Sequence, residues 1–326
     1  MPKTVLVTPR TFGQIDAVPF EMLKNAKCKV IRNPYGRTLT EDELIQIIPE
    51  IDGVILGLDP LSKKVLERAQ HLKVISKYGA GLNNIDIDYA TNKGIVVANT
   101  PGANSTAVAE LTIGLLISAS RHICTSDRGI RQGTWNKYVG MQLKGKTLGV
   151  VGAGHIGREV AERAMGLKMN VICCDILEDR KWADSVGVVY VPLPELLSQS
   201  DYITVHVPLT EETHHLISHD QFETVKSSAI LVNTSRGGIV DEEALYSALA
   251  TKKLAGAALD VFEEEPPTKS PLVELDNVVL TSHIGAHTRE AVENMGRRAV
   301  SNLLDVFDGR MPKGIVNPEV AKIKSL

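Results

Sequence analysis

The chain has 326 residues, too many for one typical core, so two domains are the first expectation. Apolar residues make up 43% and charged residues 23%, the balance of an ordinary globular protein. A formal net charge of −3 supplies no field to draw nucleic acid or an anionic membrane surface, and neither is an expected partner.

The N-terminus enters a strand pattern at once through Thr4, Val5, Leu6 and Val7, with no long apolar leader, and a cytoplasmic protein is expected. Apolar strand runs recur at 4–8, 29–31, 53–56, 73–76 and 95–98. Helical patterns separate them, as at 41–48, where Thr40 and Glu43 stand at capping-box spacing. Such alternation predicts a parallel sheet covered on both faces. Asn99, Thr100, Pro101 and Gly102 form a turn signal, and a buried helix is expected over 107–120. Glu110 and Thr112 interrupt that helix, which is too short to span a bilayer. The segment 121–146 leaves the helical pattern yet holds Trp135, Tyr138, Val139 and Met141, and reads as an irregular arm that needs a cover. Strands then restart at 148–151, 171–174, 188–190, 202–206, 229–233, 256–259 and 278–280. The last helix, 288–307, has no strand after it and is placed back on the N-terminal domain.

The expected class is therefore α/β, with two doubly wound parallel-sheet domains, a Rossmann domain over 100–288 and a flavodoxin-like domain from 1–99 plus 289–326. A cleft between them would place ligands at the carboxyl ends of the strands. Cys28, Cys124, Cys173 and Cys174 show neither a C-x-x-C pair nor metal-ligand spacing, so buried thiols in a reducing cytosol are expected. Cys173 and Cys174, adjacent in a strand, should point to opposite faces.

Gly152, Gly154 and Gly157 follow the run 148–151 in G-x-G-x-x-G register, a helical pattern comes next, and Asp175 ends the following strand. Gly152 permits the tight turn, Gly154 the close approach of backbone to a pyrophosphate, and Gly157 the packing of helix on strand. The helix N-terminus faces the phosphates with its unpaired N–H groups. Asp175 can accept both ribose hydroxyls and would repel a 2′-phosphate, so the expected cofactor is NAD rather than NADP.

Three further strand ends in this half carry Arg236, Glu265 and His283. A guanidinium fork holds a carboxylate bidentately, and a histidine takes the hydroxyl proton as a hydride leaves. A carboxylate on the far ring nitrogen fixes the tautomer and stabilises the imidazolium. These are the types that hydride transfer from a 2-hydroxy acid requires. His206, Val207 and Pro208 read as a loop over the cofactor, and Asp260, a helix cap by default, stands where it would face the nicotinamide. The other histidines form no ligand set, and no metal is expected.

These motifs, with Lys77–Asp86 (numbers 77–86), 99–110, 233–241, 259–267 and 283–286, resemble the D-isomer-specific 2-hydroxyacid dehydrogenases, most of all their phosphoglycerate dehydrogenase branch. The resemblance implies Arg236, Glu265 and His283 as the catalytic set. It implies cofactor contacts by His155, Ile156, Asp175, Val207, Thr234, Arg236, Asp260, His283 and Ala286. It also implies a substrate loop of Lys77, Tyr78, Gly79, Ala80 and Gly81, whose backbone N–H groups meet the substrate carboxylate. Relatives pair through the region of the arm, so a homodimer is implied, with Lys137 reaching the partner's site. Phosphoglycerate dehydrogenases usually carry arginine where this chain has Leu56 and Gly57, and tend to have it at Lys77. Those departures weigh against 3-phosphoglycerate, which remains a candidate substrate. With the sequence ending at Leu326, no C-terminal regulatory domain and no serine feedback are expected. The alternative from another class is an NAD(H)-sensing, corepressor-like interaction protein. A formate-oxidising sister branch has glutamine where Glu265 stands, which argues against that activity.

Overall fold

The computed structural model describes residues 2–324, which divide into two compact units, one of residues 2–104 with 286–324 and the other Ser105–Gly285. In the first unit, β1 (Thr4–Val7), β2 (Lys29–Arg32), β3 (Gly53–Leu56), β4 (Val74–Lys77) and β5 (Val96–Ala98) pair in parallel in the order β2-β1-β3-β4-β5. That is the flavodoxin-like order. β3 and β4 are buried along their length, while the edge strand β2 exposes Lys29 and Arg32 at its ends. Sequence neighbours go to opposite faces: Val54 and Leu56 join one apolar cluster and Ile55 the other. Thr40 caps the helix Glu41–Ile47 and Glu43 returns the bond, completing the capping box.

The second of these clusters is closed from far along the chain. Ala299, Val300 and Leu303 of the helix Arg289–Phe307 pack with Val5, Val74 and Val96. The buried Ser76 hydroxyl donates to the Ala299 carbonyl at 2.8 Å.

The second unit holds β6 (Thr147–Val151), β7 (Asn170–Cys174), β8 (Val189–Tyr190), β9 (Tyr202–Val205), β10 (Ile230–Asn233), β11 (Gly256–Leu259) and β12 (Val278–Leu280). All pair in parallel in the order β12-β11-β10-β9-β6-β7-β8, the Rossmann order extended by one strand. Val150 and Cys173 face one cluster, Val151 and Cys174 the other, so the adjacent thiols do part. Burial pushes the Cys173 thiol up to about 12, which leaves no reactive thiolate near neutral pH.

Two expectations fail in this unit: Cys124 is exposed rather than buried, and part of the arm is helical. A helix, Ile123–Arg131, occupies the start of the segment read as an irregular arm. His122 adopts a left-handed φ of 52°, ends the helix Ser105–Arg121, and the axis turns by 65°. None of the new helix's residues is buried, and its apolar face, Ile123 and Ile130 seven residues apart, is 47% and 52% exposed. Residues 134–143 have no regular element, and there Trp135 and Val139 are 81% and 94% exposed. Among the described residues no single helix is long and apolar enough to cross a membrane.

Candidate active site

After β6 the chain turns at Gly152, whose φ of 94° excludes most side chains. Gly157 packs so closely that a Cβ there would lie 1.9 Å from the Gly152 carbonyl oxygen. Gly154 differs, since a Cβ at that position would meet nothing within 4 Å. Open space therefore fronts the helix His155–Gly166, whose N-cap is Gly154 and which no side chain caps. Its first internal bond runs from the Arg158 N–H to the Gly154 carbonyl, leaving the N–H groups of residues 154–157 for an anion. Asp175 follows β7, and its Oδ2 accepts the Ala153 N–H at 2.7 Å while Oδ1 accepts that of Leu177 at 2.9 Å. Each oxygen keeps a further lone pair for a hydroxyl. The open cradle at Gly154, the uncapped helix end and this carboxylate fit a dinucleotide.

Asn233 organises the loop after β10. Its Nδ2 donates to the Arg236 carbonyl at 2.9 Å, and its Oδ1 accepts from the Ser235 N–H at 3.0 Å and hydroxyl at 2.7 Å. The Arg236 guanidinium donates to the Ser235 carbonyl at 2.6 Å. Burial draws its pKa below the usual arginine value, against the opposing pull of Glu265. A Cβ on Gly237 would lie 1.9 Å from the Phe262 carbonyl oxygen, so the loops after β10 and β11 touch backbone to backbone.

Glu265 accepts from His283 Nδ1 at 2.8 Å through Oε2 and lies 3.1 Å from it through Oε1. Burial raises the Glu265 carboxyl, but the hydrogen bond and charge of His283, the Phe262 N–H and Arg236 outweigh it and hold it below the usual range. With Nδ1 donating to a carboxylate, the neutral ring presents Nε2 as an acceptor. His283 sits in the left-handed region at φ 53°. Asp260 fastens its loop, accepting from the Thr281 hydroxyl at 2.7 Å and from the Ile284 and Gly285 N–H groups, each at 2.8 Å.

The structure thus brings Arg236, Glu265 and His283 onto adjoining loops of one unit, with Asp175 and the glycine turn at strand ends of the same sheet. Other candidates lie differently. Asp260 is 1% exposed and caps no helix; its charge is spent on the loop of His283. Thr234 turns its hydroxyl inward, 2.8 Å from that of Thr112. The His206 ring points inward too, with Nε2 2.8 Å from the Thr204 hydroxyl and Nδ1 sealed from solvent without a partner among the described residues. Backbone atoms of His206 and Val207 abut the Gly152 turn, while Pro208, His155 and Ile156 are at least partly exposed.

Ala286 and the segment 77–81 fall in the first unit. There Lys77 is 3% exposed, with its ammonium bonded to the Gly57 carbonyl and to Asn84 Oδ1. Tyr78 donates to the Val292 carbonyl at 3.1 Å, and burial pushes its phenol up to about 12. The Gly79 N–H goes to the Thr100 hydroxyl at 3.0 Å, which leaves those of Ala80 and Gly81 as the loop's donors.

Sequence reasoning passed over Asn233, Thr281 and His215. A polar Asn233 ending an otherwise apolar, fully buried strand was the available signal for the first. His215 Nε2 lies 3.2 Å from Glu263 Oε1, which also accepts the Glu242 N–H, so this group ties the two catalytic loops together.

A Rossmann sheet with an open dinucleotide seat and an Arg, Glu and His at its strand ends defines a nicotinamide-dinucleotide-binding α/β protein. Residues 113–285 match the model of the D-isomer specific 2-hydroxyacid dehydrogenase, NAD binding domain, and the chain belongs to this family. It is 44% identical over 283 residues to D-3-phosphoglycerate dehydrogenase of Archaeoglobus fulgidus, covering 86% of this chain and 54% of that protein. The chain thus spans about half the length of that relative, 54%. It is 42% identical over 316 residues to glyoxylate reductase of Thermofilum pendens, covering 94% of this chain and 93% of that one. A solved D-lactate dehydrogenase from Aquifex aeolicus, complexed with NAD and lactic acid, matches with TM-score 0.83 and 30% identity, covering 94% and 96% of the two chains.

Proposed function

We propose that the protein is an NAD-dependent oxidoreductase that transfers a hydride between nicotinamide and C2 of a D-2-hydroxy acid or its 2-keto acid. The observation that carries this reading is the 2.8 Å His283–Glu265 contact on loops that adjoin Arg236. Bound NAD supplies the hydride acceptor or donor. Arg236 holds the substrate carboxylate through its planar fork, in surroundings dry enough to strengthen the contact. His283 Nε2 takes the hydroxyl proton in oxidation and returns it in reduction. Glu265, ionised at neutral pH, steadies the imidazolium formed between those events.

Short unphosphorylated keto acids, such as glyoxylate and hydroxypyruvate, come first among substrates. The buried, engaged ammonium of Lys77 supports this order, since it offers no free charge for a distal phosphate. The 3-phosphoglycerate couple is the second reading, favoured by the identity to the Archaeoglobus fulgidus enzyme. The test is NADH oxidation with glyoxylate, hydroxypyruvate, pyruvate and 3-phosphohydroxypyruvate, by wild type and His283→Ala. Loss of a general acid should lower turnover by about 10²–10⁴-fold while NADH still binds. A variant within a few-fold of wild type, or no turnover of any keto acid, overturns the reading.

A two-fold dimer built on the exposed Trp135 and Val139 accompanies this function, with Lys137 directed toward the second copy. Sedimentation showing a fully active 35.4 kDa monomer would rule it out.

A further inference from the structure

Ala153, inside the glycine turn, is 2% exposed, and charged side chains hold both of its backbone polar groups. Its N–H goes to Asp175, while its carbonyl accepts from Arg158 Nε at 2.9 Å. Arg158 lies in the first turn of the helix His155–Gly166, the end at which the helix dipole disfavours a cation, so its place there needs another reason. Its guanidinium is held from two further sides. Nη1 donates to Asp179 Oδ2 at 2.8 Å, and the ring of Trp182 packs against it, 4.9 Å from guanidinium carbon to centroid. Asp179 and Trp182 are themselves fixed to each other, since the Asp179 carboxylate caps the helix Arg180–Val186 by accepting the Trp182 N–H at 3.0 Å. The Trp182 N–H and the Arg158 guanidinium hold that carboxyl below the usual range, so it is charged at neutral pH.

A carbonyl shares its peptide plane with the N–H of the next residue, and in a trans peptide the two point opposite ways. Fixing the Ala153 carbonyl therefore fixes the direction of the Gly154 N–H, the first of those that the helix leaves unused. That N–H points away from Arg158, and a Cβ on Gly154 would meet only open space. We propose that Arg158 is a positioning residue for NAD: its hold on the Ala153 carbonyl aims the Gly154 N–H at the pyrophosphate. This role rests on the reading of the turn as the dinucleotide seat. Arg158 acts through the backbone, its Nε and Nη1 being already engaged by Ala153 and Asp179.

Two neutral substitutions separate the bond from the charge. Arg158→Gln keeps a donor, Nε2, as many bonds from Cα as arginine Nε, whereas Arg158→Met puts a methyl group there. Both stop short of Nη1 and lose Asp179. Binding is read from NADH fluorescence, with ADP and adenosine as competitors. In the Met variant NADH and ADP should bind about tenfold more weakly than in wild type, the loss expected for one hydrogen bond. Adenosine, which lacks the pyrophosphate, should bind as before, and the Gln variant should regain most of what NADH and ADP lost. In turnover, the KM for NADH should rise in the Met variant while kcat at saturating NADH holds. Equal ADP affinity in wild type and the Met variant overturns the proposal. So do equal losses for ADP and adenosine, or a Gln variant as weak as the Met one. Wild type that binds no NADH would overturn the dinucleotide seat itself, and the proposal with it.

Discussion

Asp260 Oδ1 accepts the backbone N–H of Ile284 at 2.8 Å, so a buried carboxylate after β11 fastens the residue that follows His283. A side chain other than glycine rarely occupies the left-handed region without outside support. Here the support comes from a neighbouring strand end.

Thr281→Val tests that support. It removes the 2.7 Å hydroxyl bond to Asp260 Oδ1 and leaves the two backbone bonds in place. Loss of one buried bond to a charged group costs about 1.5–3 kcal/mol. The thermal midpoint should fall, and kcat should drop about tenfold as the ring loses its aim. Thr281→Ser should restore both; a Val variant with wild-type kcat would detach Asp260 from catalysis.

Glu265→Gln keeps the shape of the side chain and deletes its charge. The wild-type carboxyl lies below the usual range, so its charge is present above that value and lost as pH falls through it. In the variant the charge is absent at every pH, and the imidazolium is less favoured. The pH–rate profile for keto-acid reduction should move to lower pH. A profile superposing on that of wild type would separate the two residues.

Asp175→Ala should lower the ratio of kcat/KM for NADH over NADPH by about tenfold, since a charged acceptor and a source of repulsion go together. The Ala153 N–H loses its partner in the same change. Steady-state kinetics with both cofactors measures the ratio, and an unchanged ratio would assign cofactor choice elsewhere.

Burial takes the His206 pKa down to about 3, so the ring is neutral through the working range. An unfolded chain takes up that proton from about pH 6.5 downward. Folded stability is therefore lost progressively as pH falls from there toward the folded value. His206→Gln should flatten the dependence of thermal midpoint on pH between about 6.5 and 4, and curves of equal slope would contradict the burial of the ring.

The glycine turn was legible because its demands are local. The φ of Gly152 and the near contact of Gly157 with the Gly152 carbonyl involve residues a few places apart. The parallel, doubly wound class of both sheets followed from alternating strands and helices, while the order of their strands rests on pairings far apart in the chain. The Glu265–His283 pair could be inferred because each residue lies on the loop that follows a strand and ligands gather at such ends. Asp260's partners could not, since its bonds to Thr281, Ile284 and Gly285 depend on β12 lying beside β11 in one register. The inward turn of His206 did have a signal: it lies two residues past Thr204, on the same side of an extended chain. The helix Ile123–Arg131 had only a short one, Ile123 and Ile130 seven residues apart on one face among polar neighbours.

The return of the helix Arg289–Phe307 onto the first sheet sets an order for assembly during synthesis. As the chain leaves the ribosome, residues 1–104 emerge first, yet one face of their sheet waits for Ala299, Val300 and Leu303. The unit Ser105–Gly285 is complete in itself once its last strand has been made, although it starts later. Nascent chains ending just past residue 285 should then resist protease within that stretch while the earlier residues are cut. Protection of residues 1–104 at that length would refute this order. Of the two units, the one whose chain starts first is thus the last to be completed.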